Sequence, residues 1–158
     1  MKYKLLRDNT IEHNGIILYR IQALMSIASI GLVPGYVGGY VQSEENLSQE
    51  DSCFIFDNAK VYGNARVFEN ACVLDNAEIY GHATIYGRSR IMDNSIICDY
   101  ARIYDDAVIK HYSRVCSHGF VFGSANIRNS VCISGHSKVF GTASLSQDVS
   151  LSGYSVAF

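Results

Sequence analysis

The sequence predicts an all-β fold, a solenoid of short stacked strands, and three observations carry that expectation. An aliphatic residue recurs at every sixth position from Ile55 to Leu151, seventeen times without an insertion, and fifteen of them are Val or Ile. A row of small residues runs two positions ahead of it, beginning Ala59, Ala65, Ala71, Ala77 and Ala83. Two positions behind it stand Gly or turn-prone polar residues, as in Asp57, Gly63, Asp75, Gly81 and Gly87. The unit is aliphatic-x-Gly/Asp-Asn-Ala-x. Side chains alternate across a strand, so the small residue and the aliphatic two later share one face. Gly, Asp and Asn accept the left-handed backbone needed at a corner. A period of six is no multiple of 3.6 and the rows are β-branched, so a helical reading fails. No single unit buries its own face, and stacking neighbours is the remedy.

Taken in order, residues 1–37 form an N-terminal segment. Asn14-Gly15 between strand-like runs over Thr10–Ile21 is a hairpin signal. Ala23–Leu32 reads as a short helix or an irregular strand, stopped by Pro34-Gly35. Residues 38–53 form an imperfect first coil: Val41 and Leu47 keep the six-residue spacing, but eight residues separate Leu47 from Ile55, with an acidic bulge at Glu50-Asp51. The hairpin is expected to cap this coil, whose unpaired edge otherwise invites aggregation. Residues 54–158 are the regular solenoid, running to Phe158 with no helix after the last coil. A single proline, Pro34, fits strands that need their N–H groups for coil-to-coil pairing.

Composition narrows the function classes. Apolar residues make up 48% and charged residues 18%, which excludes a disordered chain. The 13 Lys+Arg and 15 Asp+Glu leave a net charge of −2, without the basic footprint of a nucleic-acid binder or the strong acidity of a mimic. The apolar run Ile21–Val33 is too short and too polar to span a bilayer, and lies too far from Met1 for a signal peptide. The five cysteines are odd in number and show no CxxC spacing, as expected of free thiols in a cytoplasmic protein. Only Thr84 and Thr142 occur in the coils, which removes the regular threonine rows of ice-binding solenoids.

With the unit Asp57-Asn58-Ala59-Lys60-Val61-Tyr62-Gly63-Asn64-Ala65 in view, the pattern resembles the hexapeptide-repeat left-handed β-helix proteins. That run, with Gly38-Gly39-Tyr40-Val41 and Glu45-Asn46-Leu47-Ser48, is similar to a subgroup of small phage and prophage solenoids, some of them labelled transferases. The resemblance covers residues 38–158. It implies a single-stranded left-handed parallel β-helix with three hexads per coil, and self-association along a face.

Three hexads per coil place positions eighteen apart in one column, with about 4.8 Å between neighbours. The residue after each aliphatic points outward, and one face then carries the aromatic column Phe68, Tyr86, Tyr104, Phe122, Phe140 and Phe158. Arg66 and Arg102 stand beside it, with Thr84, Phe120 and Lys138. Such a stripe marks an interface more often than a merely solvated ladder. The expected partner is a second copy of the chain, as a trimer or an end-to-end dimer, or else a host or phage protein. Interference with a host defence system is the setting that the resemblance implies.

A corner column runs Asn64, His82, Tyr100, His118, His136 and Tyr154. Hexapeptide acyltransferases use a histidine base and carbonic anhydrases of that fold bind zinc through histidines. By that analogy His118 and His136 are the residues of an acyltransferase reading, with His82 and His111 behind them. Against it, no loop interrupts the seventeen hexads to shape an acceptor site. The reading is therefore a non-enzymatic binding solenoid with no cofactor and no metal site, acyl transfer being the alternative. Cys98 and Cys116 also share a column, near disulfide reach, and in a reducing compartment serve as small apolar residues.

Overall fold

The computed structural model describes residues 1–158, and nearly all of its regular structure is strand. From Phe54–Ile55 to Val156–Ala157 run eighteen strands of two residues each, separated by four-residue corners. Each of the first fifteen pairs in parallel with the strand eighteen residues on, as Ile97 does with Val115, Ile103 with Val121 and Ile109 with Ile127. The result is a parallel β-solenoid whose three sheets hold nine, six and six strands. We number them I (with Ile79, Ile97, Val115), II (with Ile91, Ile109) and III (with Ile85, Ile103).

The six-residue rows become the interior. Every aliphatic of the rail from Ile55 to Val139 is buried, and the small row lies beside it. Size explains the small row: a Cβ added at Gly119 would come within 2.9 Å of Val115 Cγ1. Where serine replaces alanine the hydroxyl is a burden. Ser89 donates to the Tyr86 carbonyl at 2.7 Å, but Ser95, Ser113 and Ser137 have buried hydroxyls with no partner.

The corners show why Asp alternates with Gly. Asp57, Asp75, Asp93, Asp99 and Asp105 all adopt positive φ, between 53° and 58°. Each carboxylate also accepts a backbone N–H from the coil that follows. Asp75 Oδ2 accepts from the Asp93 amide at 3.0 Å, and Asp99 Oδ2 from the Ser117 amide at 2.8 Å. Glycine supplies the conformation alone; aspartate supplies the conformation and an acceptor.

The hairpin is present and longer than Thr10–Ile21. Strand β1 (Tyr3–His13) pairs antiparallel with β2 (Ile16–Ala23) about Asn14-Gly15. Strand β3 (Val37–Val41) pairs antiparallel with β2 and parallel with Lys60–Val61, so hairpin and solenoid share sheet I. Between β2 and β3 the chain forms neither a regular helix nor a strand. It makes a three-residue 3-10 turn, Ala28–Ile30, closed by a bridge between Ile27 and Leu32.

The first coil is irregular where the spacing breaks. Leu47 pairs with Val67, twenty residues on, and side chains absorb the two extra residues. Tyr3 donates its hydroxyl to the Leu47 carbonyl at 2.7 Å, and Gln49 Oε1 accepts from the Lys2 and Tyr3 amides at 2.8 and 3.2 Å. The buried Lys2 ammonium donates to the Glu50 carbonyl at 2.8 Å and meets Cys53 Sγ at 3.1 Å.

Strand β3 docks without side chains in its way. A Cβ at Gly39 would lie 2.5 Å from the Ala59 carbonyl oxygen and 2.5 Å from Ile55 Cγ2. Backbone held by rung-to-rung bonds yields little, so Gly39→Ala is expected to cost about 3 kcal/mol in urea unfolding. A loss below about 0.5 kcal/mol would mean that β3 shifts freely against the coil.

The hairpin does more than close an end. Leu18 packs with Tyr40 and Tyr62 in a second small core on the outer side of sheet I. At the tip, His13 Nε2 lies 2.8 Å from Glu78 Oε1, and the Tyr62 hydroxyl donates to the same oxygen. Burial would raise the Glu78 carboxyl, but those two hydrogen bonds outweigh it and hold the group below the usual carboxylate range.

Candidate functional site

Around sheet III each unit sends three side chains outward, because strand residues alternate: Tyr100, Arg102 and Tyr104 point out while Ala101 and Ile103 point in. Three parallel columns follow. The structure brings Phe68, Tyr86, Tyr104, Phe122, Phe140 and Phe158 into one continuous ring stack. Successive centroids lie 4.9, 5.0, 4.8, 5.1 and 5.7 Å apart, with planes within 17° of parallel.

The corner column is a second stack. Rings follow one another at 4.9, 5.1, 4.8 and 5.0 Å through His82, Tyr100, His118, His136 and Tyr154. Eighteen-residue spacing places those residues together; that they stack ring on ring is a finding of the structure. Both stacks spend the faces of their rings on each other, so what they turn outward is mainly ring edge, the electropositive rim. The first stack is half-buried along Phe68 to Phe140, whereas the rings of the second are exposed.

Between the stacks runs the strand column Arg66, Thr84, Arg102, Phe120, Lys138 and Val156. Arg102 lies over the Phe120 ring at 5.5 Å and Lys138 Nζ over the same ring at 6.0 Å. Arg66, Arg102 and Lys138 form no ion pair; the ion pairs present are those of His13 with Glu78, Arg88 with Asp106 and His111 with Asp93. Burial is the largest influence on the Tyr86 and Tyr104 hydroxyls and raises both. The face is thus a strip of ring edges with unpaired cations along its middle.

The histidines carry little of what a general base needs. His118 and His136 stack at 4.8 Å with planes 2° apart. Lone pairs lie in the ring planes, so two parallel imidazoles point theirs side by side and do not converge on one ion. No acid, hydroxyl or carbonyl bonds to a nitrogen of either ring, so nothing selects a tautomer or an orientation. His111 stands apart at another corner, with Nε2 3.3 Å from Asp93 Oδ2 and Nδ1 3.1 Å from Asn129 Oδ1.

One feature had no counterpart in the repeat pattern. The 3-10 turn Ala28–Ile30 overhangs sheet II and makes a cavity of about 650 Å³. Phe56, Cys72 and Leu74 contribute its apolar lining, with Arg88 and Arg90 beside them. Arg88 is held by Asp106 at 2.8 Å, while Arg90 has no acidic partner. On sheet I, Cys98 and Cys116, which the eighteen-residue spacing already places in one column, bring their sulfurs to 2.8 Å.

The chain matches no protein-family model and no curated protein. No helix is long and apolar enough to cross a membrane.

Proposed function

We propose that this protein is a non-enzymatic β-solenoid that acts by binding, with the outer face of sheet III as its contact surface and a second copy of the chain as its first partner. The observation that carries the reading is the unbroken stack from Phe68 to Phe158 beside the unpaired Arg66 and Arg102. A straight, rigid strip of ring edges pre-organises a contact and loses little entropy on docking. Ring edges accept the faces of other rings and carbonyl oxygens, and the cations favour the same partners. Edge-to-face contact between two copies satisfies both. A host or phage protein is the second occupant, and the resemblance to phage and prophage solenoids supports an origin in a mobile element and an anti-defence setting.

The same resemblance, with the small-residue row and the positive-φ corners, supports a left-handed coil of the hexapeptide-repeat type. Five free thiols support a reducing, cytoplasmic setting. Acyl transfer by His118 or His136 finds no such support, since neither ring has an orienting partner.

Sedimentation velocity over a micromolar concentration series tests the reading. The expected result is an oligomer that the double substitution Tyr104→Glu with Phe122→Glu converts to monomer, with the β-sheet circular dichroism retained. Buried like charges facing one another across a contact cost several kcal/mol, which is more than a hundredfold in dissociation constant. A wild-type chain that stays monomeric throughout removes self-association. Acyl-CoA turnover that vanishes in His118→Ala or His136→Ala would replace the binding reading altogether.

A further inference from the structure

Cys98 and Cys116 follow the core residues Ile97 and Val115, which are partners in adjacent coils of sheet I. Parallel neighbours stand about 4.8 Å apart, inside the 4.4–6.8 Å window that a disulfide spans between Cα atoms. The sulfurs are 2.8 Å apart. Arg114 donates from Nε to Cys116 Sγ at 2.8 Å. Cys98 is 1% exposed and Cys116 7%. The other cysteines have no thiol partner: Cys53 faces Lys2, Cys72 borders the sheet II cavity, and Cys132 is the strand neighbour of Arg114 in the next coil.

Asp99 brings a carboxylate within 4.8 Å of both sulfurs, so a metal ion is the competing occupant. Geometry and charge disfavour it. Two thiolates on one tetrahedral ion at 2.3 Å each sit about 3.8 Å apart, well beyond the separation found here. A guanidinium aimed at the sulfurs also repels a cation while holding a thiolate.

We infer that Cys98 and Cys116 form a peroxide-sensing dithiol, with Cys116 as the attacking sulfur, Cys98 as the resolving one and Arg114 as the group that holds the thiolate. The hydrogen bond shared with Cys116 is the largest influence on Cys98 and brings its thiol down to about 7, with the Tyr80 hydroxyl adding to the effect; the same bond raises Cys116. One proton is thus lost from the pair as a unit, and the geometry places the other: Cys98 Sγ donates it to Cys116 Sγ, which also accepts from Arg114 Nε. With that proton on Cys98, the anion rests on Cys116 under Arg114.

The Cys116 thiolate attacks one oxygen of hydrogen peroxide. The O–O bond breaks, hydroxide leaves and takes up a proton, and Cys116 becomes a sulfenic acid. The Cys98 sulfur then attacks Cys116 Sγ, the S–O bond breaks, and the second oxygen leaves as water with the Cys98 proton. Two thiols and one peroxide give one disulfide and two waters. The bridge joins two coils covalently and leaves Arg114 without a thiolate, which places a free cation on sheet I. This site lies on a different face from the proposed contact strip and stands or falls independently of it.

Intact-mass spectrometry and thiol mapping of the reduced, full-length chain after a peroxide titration test the inference. The wild type is expected to lose 2 mass units, with one peptide pair linked through Cys98 and Cys116 and the other three thiols still alkylated. In Cys98→Ser the sulfenic acid on Cys116 has no resolving partner and is trapped by dimedone; in Cys116→Ser the adduct is lost. Arg114→Gln slows bridge formation by roughly threefold, the gain in thiolate being partly offset by its weaker nucleophilicity. Oxidation raises the melting temperature of the wild type by roughly 5 °C, reversibly with dithiothreitol, and leaves both serine variants unchanged. Cys98 and Cys116 remaining alkylatable after peroxide, bridging to a different cysteine, or zinc held by the reduced chain and lost in Cys98→Ser would each overturn the assignment.

Discussion

Replacing Ile97 by alanine is expected to lower stability by about 4 kcal/mol, toward the upper end for truncation of a buried aliphatic. Ile97 is fully buried, and its partners in the adjacent coils are Ile79 and Val115. In a globular core, neighbours relax toward a vacated volume and recover part of the loss. Here the flanking strands are held at fixed separation: Cys98 N–H donates to the Val115 carbonyl at 3.0 Å and Tyr80 N–H to the Ile97 carbonyl at 3.0 Å. The cavity stays open, and nothing in the alanine row is large enough to fill it. Urea unfolding of Ile97→Ala beside Leu151→Ala measures this. Leu151 is only partly buried, so its loss is expected to be nearer 1 kcal/mol. Equal losses at the two sites would show that the interior relaxes as freely as the periphery.

The second large effect is expected at Asn46, where alanine is predicted to cost about 3 kcal/mol. Its side chain is buried and uses its whole hydrogen-bonding capacity. Oδ1 accepts from the Ser43 amide at 2.9 Å and the Gln42 amide at 3.1 Å, and Nδ2 donates to the Gly63 and Ala65 carbonyls at 3.1 and 2.9 Å. Those four groups belong to the break in the repeat, where backbone pairing between coils lapses. Alanine leaves two carbonyls and the Ser43 amide short of partners in a place water reaches poorly, while the Gln42 amide keeps the Val61 carbonyl at 3.3 Å. Aspartate keeps the acceptors, removes both donors and buries a charge against two carbonyl oxygens, so Asn46→Asp is expected to be at least as damaging. Thermal unfolding of the two variants separates the contributions. Retention of stability in Asn46→Asp would show that the Gly63 and Ala65 carbonyls find solvent, and that the amide does not splice the first coil to the second.

These two residues also mark the limits of what is legible in the chain. Ile97 stands in a row whose meaning follows from spacing alone. So do the corner aspartates and the two outward ring columns. In a solenoid each residue meets the residue a fixed number of positions later, so one offset encodes most of the neighbours. Asn46, like Tyr3 and Gln49, works beside the place where the offset changes from twenty to eighteen, and no periodicity announces it. The sheet II cavity is likewise made by a non-repeating segment that folds over the coils.

The amino-acid sequence by itself determined the stacked β architecture, the inward rail, the conformations of the corners and the membership of the aromatic and histidine columns. Each of these depends on a local pattern repeated at constant spacing, and a repeated pattern is redundant enough to read. Only the tertiary structure decided how the columns behave. It turned the aromatic column into stacked rings that offer edges, and the histidines into parallel planes without orienting partners. It also carried the hairpin past the end it was expected to cap, to lie against Tyr62 and Glu78 on sheet I. Two cysteines that looked like apolar filler became a dithiol beneath Arg114. Ring orientation, hydrogen-bond direction and the approach of a distant hairpin depend on side-chain geometry between coils, which spacing does not specify.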